Sequence, residues 1–185
     1  VHPKKWDAEA VVVGAQKCTA GPSGLAAIAI NDSFTHAVKN KQEKGDMVPT
    51  YYLNFLSALN KASDDQTPWT PAINLTIGWV SSLRELNEEG LENRWIRCEK
   101  LSNGVQRLFT DLGFALFADA KQRSTTATAI VYPEGIDDKW RTRLAEIYKT
   151  HVIGGQDHMK GKMFRVGSMG TTTYDEMIEG CKRMI

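Results

Sequence analysis

Two charged side chains stand where their neighbours could turn them to chemistry. Lys17 follows the apolar run Glu9-Ala-Val-Val-Val-Gly14 and lies in a polar, glycine-rich loop from Ala15 to Gly24. A lysine held in a partly apolar site gives up its proton more readily. It then attacks a carbonyl carbon as an amine nucleophile, forming a Schiff base. The plainer reading is a lysine at a strand end reaching into water. Arg165 sits in the middle of Lys162-Met-Phe-Arg-Val-Gly167. A period of two puts Met163, Arg165 and Gly167 on one face of that strand and Phe164 and Val166 on the other. A guanidinium in an apolar strand needs a partner, and its planar fork suits a carboxylate through two parallel hydrogen bonds. That partner is either a ligand or a structural salt bridge at a sheet edge.

Gln16, Thr67 and Thr70 are neutral hydrogen-bonders in loops, and Thr70 reads most simply as a helix cap. Trp69 covers core or packs on a cofactor or partner subunit. His36, His151 and His158 have no metal-ligand spacing. Cys18 has no histidine beside it in sequence to act as a base. Gly14, Gly21 and Gly24 form neither the dinucleotide fingerprint nor the phosphate-loop pattern.

The elements that must hold these residues follow from the spacing of apolar positions. Glu9–Gly14 and Gly24–Ile30 are short, continuously apolar runs, which predicts strands buried on both faces in a sheet covered by helices. Asn31 or Asp32 starts a helix to about Asn40, and Tyr51–Ala62 forms another. The charged stretch Lys39–Asp46 is a solvated run without assigned function. Asp64–Pro71, with two prolines, is a natural boundary, with Thr70 as cap and Pro71 in the first helical turn. From there to Leu112 apolar residues recur at helical spacing, broken at Gly90 and stopped by Gly113. Then come short strands at Phe114–Phe117, Thr125–Tyr132, His151–Ile153 and Lys162–Gly167. Helices intervene over Asp137–Lys149 and from Thr173, where Thr173-Tyr-Asp-Glu176 is a capping box. The pattern predicts α/β character first and an α+β part with a small, mostly antiparallel sheet afterwards.

With 185 residues the chain is long enough for one large or two small domains without staples. Its 23 basic and 22 acidic residues give a net charge of +1, which argues against a nucleic-acid groove or a polybasic membrane surface. No apolar run approaches the roughly 18 residues of a membrane span. Three cysteines at wide spacings point to a reducing, cytoplasmic setting. Val1 opens no signal-peptide pattern, and the chain reads as the later part of something longer.

Val11-Val-Val-Gly-Ala-Gln-Lys-Cys-Thr-Ala-Gly-Pro-Ser-Gly-Leu25 resembles the lysine segment of the class V aminotransferases. In that family a strand leads into a Gln-Lys pair and a Gly-Pro-x-Gly turn. Thr67-Pro-Trp-Thr-Pro-Ala72, Glu89-Gly-Leu-Glu-Asn-Arg94, Gly154-Gly155, Lys160-Gly-Lys162 and Phe164-Arg-Val-Gly-Ser-Met-Gly170 resemble its later segments. Order and spacing agree along essentially the whole chain, and the type most resembled is the alanine–glyoxylate and serine–pyruvate aminotransferase.

The resemblance implies a fold-type I enzyme dependent on pyridoxal 5'-phosphate. Residues 1–70 would be the end of the large cofactor domain and 71–185 the small C-terminal domain. Lys17 would bond covalently to the cofactor and move the proton of the substrate's α-carbon. Gln16 would help hold the cofactor phosphate. Thr70, together with Thr67, would reach the phosphate of the neighbouring subunit in a homodimer. Arg165 would clamp the substrate α-carboxylate. The reaction implied joins a small amino acid, alanine or serine, to a 2-oxo acid, glyoxylate or pyruvate.

The family's ring-nitrogen aspartate, phosphate-binding glycine turn and stacking aromatic precede the segment given, and Thr19-Ala20 departs from the loop's more usual residues. A phosphoserine aminotransferase-like enzyme is the alternative of the same fold, although Phe164–Gly170 argues against it. Cysteine desulfurases carry histidine where Gln16 stands. A non-catalytic assembly module is the alternative from another class.

Overall fold

The computed structural model describes residues 3–46 and 50–185. The chain divides into two compact units, Val1–Ser82 and Leu83–Ile185. No helix among the described residues is long and apolar enough to cross a membrane.

In the first unit, β1 (Ala10–Gly14) and β2 (Ala26–Ile30) form an antiparallel pair in register from Ala10 opposite Ile30 to Gly14 opposite Ala26. The expectation of two-sided burial is not met within these residues. Val12, Val13 and Ile28 are exposed: strand side chains project to the two faces of a sheet, and among the described residues these faces are left uncovered there. Helix α1 (Asp32–Glu43) is capped by Asn31, whose side chain accepts from the Phe34 amide at 2.9 Å. Helix α2 (Phe55–Ala62) begins four residues later than its apolar pattern suggests. Its cap is Asn54, whose side chain accepts from the Ser57 amide at 3.0 Å. The two helices meet through the Phe34 and Phe55 rings, edge to face with centroids 5.3 Å apart.

Helix α3 (Ile73–Glu89) also begins later than expected, so Thr70 is not its cap. The Ile73 amide bonds to the Pro71 carbonyl at 2.9 Å in a tight turn. The first helical bond runs from the Thr76 amide to the Ala72 carbonyl, also at 2.9 Å. Gly90, at φ +83°, ends α3 and opens α4 (Leu91–Asp111), where a side chain would be strained.

The second unit packs α4, α5 (Lys139–Tyr148) and α6 (Tyr174–Met184) with a three-stranded antiparallel sheet. Its strands β3 (Ala127–Val131), β4 (Ile153–Gly154) and β5 (Met163–Gly167) lie in the order β3-β5-β4. Phe114–Phe117 is not a full strand: it makes a single bridge, Leu116 to Ile130. The core gathers Leu101, Val105 and Phe109 of α4 against Ile130, Phe164 and Val166 of the sheet and Met177 of α6. Phe164 is 1% exposed and touches the rings of Phe109 and Trp140. The capping box holds as read: Thr173 Oγ1 accepts from the Glu176 amide, and the Glu176 carboxylate accepts from the Thr173 amide at 2.8 Å.

Candidate active site

The first cluster is built on the turn that leaves β1. Ala15 is fully buried, and its carbonyl is a hub. It accepts from the Gly21 amide at 2.7 Å and from Thr19 Oγ1 at 2.8 Å. The Ala20 amide bonds to the Lys17 carbonyl at 3.0 Å, closing a short turn in which Ala20 takes φ +55°. Helix α3 fastens that turn from one side. Trp79 Nε1 donates to Thr19 Oγ1 at 2.9 Å, and Ser82 Oγ donates to the Ala20 carbonyl at 3.1 Å. Gly21 has no alternative here, since a Cβ would stand 2.6 Å from the Trp79 ring.

Lys17 and Gln16 are exposed on this fixed turn. Among the described residues Lys17 has no carboxylate within ion-pair distance. Gln16 folds back over the strand end, where a Cβ on Gly14 would lie 3.3 Å from its Oε1. The donors fit a group that carries an aldehyde and a phosphate: an unpaired amine and an amide sit on one rigid turn.

Thr67 and Thr70 flank Trp69, which stacks on Tyr52 with centroids 4.3 Å apart. The Thr67 hydroxyl donates to the Trp69 carbonyl at 2.6 Å, so its only proton is committed. The Thr70 hydroxyl makes no hydrogen bond among the described residues.

In the second unit Arg165 stands on the central strand, not at a sheet edge, and no carboxylate pairs with it among the described residues. Its Nε and Nη2 both donate to the Gly154 carbonyl across the ladder, at 3.2 and 3.0 Å. The salt-bridge expectation is therefore replaced by a neutral acceptor.

Two polar groups carry no role in the sequence reading. Glu89 receives Arg94 Nε and Arg97 Nε, the latter at 2.7 Å, while Arg94 Nη1 and Arg97 Nη2 donate to the Gly170 carbonyl at 2.6 and 2.9 Å. This network pins the turn after β5. The Arg97 hydrogen bond is the main cause holding the Glu89 carboxyl below its ordinary range. The second group is Asp138, which accepts from Arg141 Nε and Nη2 at 3.0 and 2.7 Å and from the Tyr132 hydroxyl at 3.1 Å. Burial, with Asp138 beside it, pushes the Tyr132 hydroxyl up to about 12. The i,i+3 spacing of Asp138 and Arg141 is a sequence signal for their pair, whereas the contacts to Gly170 join residues more than 70 positions apart.

The family model for class V aminotransferases matches residues 1–172. An uncharacterized aminotransferase of Methanocaldococcus jannaschii is 39% identical over 181 residues, covering 96% of this chain and 46% of that protein. A serine–glyoxylate aminotransferase of Hyphomicrobium methylovorum is 33% identical, covering 95% of this chain and 43% of that protein. Among solved structures, an alanine–glyoxylate aminotransferase from Nostoc sp. superposes with a TM-score of 0.87 at 25% identity, covering 98% of this chain and 48% of that one. The chain spans about half the length of the relatives it matches. It has the fold-type I aminotransferase architecture and belongs to the class V aminotransferases, a pyridoxal-phosphate-dependent family.

Proposed function

We propose that these residues serve a transamination between a small amino acid, alanine or serine, and a 2-oxo acid, glyoxylate or pyruvate. The observation that carries this reading is the Gln16-Lys17 pair on a turn locked by Ala15, Thr19 and Trp79, with an unpaired amine. Relatives named for serine–glyoxylate and alanine–glyoxylate transfer support the choice of substrates.

Pyridoxal phosphate, when bound, supplies the aldehyde that takes the amino group and the ring that accepts the α-carbon's electron pair. Lys17 is the covalent anchor, and its Nζ carries the proton to and from the substrate's α-carbon. The fixed turn sets where the Lys17 side chain starts, and positioning of this kind accounts for a large share of a rate enhancement. Gln16 and Thr70 donate hydrogen bonds to phosphate oxygens, with Thr67 contributing through its turn. Arg165 takes the substrate α-carboxylate on its free edge. In this reading residues 1–70 belong to the cofactor domain and 71–185 to the small domain. The protein works as a homodimer in which Thr70 reaches the phosphate held by the neighbouring subunit.

The test is a donor screen on the cofactor-loaded full-length protein, with glyoxylate as acceptor. Alanine or serine should be the best donor, and Lys17→Ala should lower kcat by a factor on the order of 10² to 10⁴, the scale for removing a general acid–base. A screen in which neither donor reacts, or full turnover by the variant, would overturn the reading.

A further inference from the structure

Arg165 reaches its acceptor across the ladder. In the register of β4 and β5, Ile153 stands opposite Arg165 and Gly154 opposite Phe164. The Gly154 carbonyl takes the side edge of the guanidinium, formed by Nε and Nη2. Nη1 makes no hydrogen bond among the described residues, so the end edge, Nη1 with the second proton of Nη2, is left open. A guanidinium offers a carboxylate either edge. Here one is taken.

Gly154 is itself crowded from outside. A Cβ on it would lie 3.3 Å from both Arg141 Nε and Asp138 Oδ1, closer than ordinary van der Waals contact. Those two atoms belong to the ion pair at the start of α5, steadied by the Tyr132 hydroxyl. The next residue is more constrained still: a Cβ on Gly155 would fall 2.1 Å from the Met159 carbonyl oxygen. The backbone at 154–155 therefore sits close against its neighbours, with little room to shift.

We propose that Gly154 is a positioning residue for substrate binding: its carbonyl orients Arg165 so that a substrate carboxylate docks end-on at Nη1 and Nη2, and the Asp138–Arg141 pair fixes the strand that carries this carbonyl. The inference rests on the reading of Arg165 as the carboxylate clamp. Gly154→Ala must displace either the ion pair or the strand by a few tenths of an ångström. If the strand gives way the carbonyl moves directly; if the pair gives way the strand loses its brace; in both cases the fork turns with the carbonyl.

The experiment uses the cofactor-loaded full-length protein and compares kcat/KM for alanine with that for ethylamine, which lacks the carboxylate. The ratio isolates carboxylate recognition from general loss of activity. Gly154→Ala should lower it about tenfold, since misplacing a group by about 1 Å can cost on the order of a hundredfold. Arg165→Lys should lower it at least as far, and the double variant should fall no further than Arg165→Lys alone. Opening room by adding Arg141→Ala to Gly154→Ala should recover part of the loss. If Arg165→Lys leaves the ratio unchanged, the clamp reading itself fails. If Arg165→Lys lowers it but Gly154→Ala slows both substrates equally, Gly154 is merely structural and the proposal is overturned. Should Gly154→Ala not fold, Arg141→Ala alone must lower the ratio a few-fold, and an unchanged ratio there overturns it as well.

Discussion

The indole N–H of Trp79 donates to the hydroxyl of Thr19 at 2.9 Å, and that hydroxyl donates in turn to the Ala15 carbonyl at 2.8 Å. Sixty residues of chain separate the two side chains. The relay makes helix α3 a support for the turn that carries Lys17, and it gives Thr19, which departs from the more usual residues of that loop, a defined role.

Trp79→Phe keeps an aromatic side chain, though a smaller one, and removes the donor. It should destabilise the first unit by at least about 1 kcal/mol, the net worth of a typical hydrogen bond. A double-mutant cycle with Thr19→Val, followed by urea unfolding, should give a coupling of the same size. Strictly additive effects would show that the two side chains do not interact.

The two threonines beside Trp69 should separate in their effect on the cofactor. Thr70→Val removes an uncommitted hydroxyl proton and should raise the Kd for pyridoxal phosphate about tenfold or more, the scale for a hydrogen bond to a charged group. Thr67→Val should matter less, because its proton already goes to the Trp69 carbonyl. Titration of the cofactor-free full-length protein, followed by absorbance, decides this. A larger loss from Thr67→Val would reverse the assignment.

Glu89 should make part of the second unit's stability acid-sensitive. Its folded carboxyl titrates below the ordinary 4.5, first because Arg97 hydrogen-bonds to it. A carboxyl lowered on folding contributes fully above its unfolded value and loses that contribution as pH falls through the folded one. Glu89→Gln should therefore cost about 2 kcal/mol at pH 7, where Arg94 is left buried with a weaker partner. The gap between wild type and variant should close at acid pH in urea melts. A gap that stays constant from pH 7 to below 4 would contradict the network's electrostatic role.

Much of the second unit was legible because its signals are local. The alternation of Met163, Phe164, Arg165 and Val166 sets the faces of β5, Thr173 and Glu176 write the capping box within one turn, and Gly90 marks its own backbone conformation. The first unit was harder. Val11, Val12 and Val13 read as a buried strand by hydrophobicity alone, but burial depends on what covers the faces of a strand, and among the described residues Val12 and Val13 are left exposed. Thr70 and Pro71 look like a helix start by type, yet the tight turn from Ile73 to Pro71 delays the first helical bond.

The site shows the same division. Lys17 stood out because it follows directly on an apolar run in a glycine-rich loop, and Arg165 because a charged residue within an apolar strand is anomalous. Their supports did not. Gly154 as the acceptor for Arg165, and Trp79 as the donor to Thr19, are contacts between distant segments that no spacing rule encodes.

The central claim is that Lys17 is the cofactor's anchor, and borohydride reduction of the pyridoxal-phosphate-loaded full-length protein tests it most directly. Hydride addition makes the lysine–cofactor link permanent, so digestion and mass spectrometry locate it. The account predicts a pyridoxyl adduct on the peptide carrying Lys17, lost in Lys17→Ala. Label on a different lysine, with Lys17 unmodified, would contradict it.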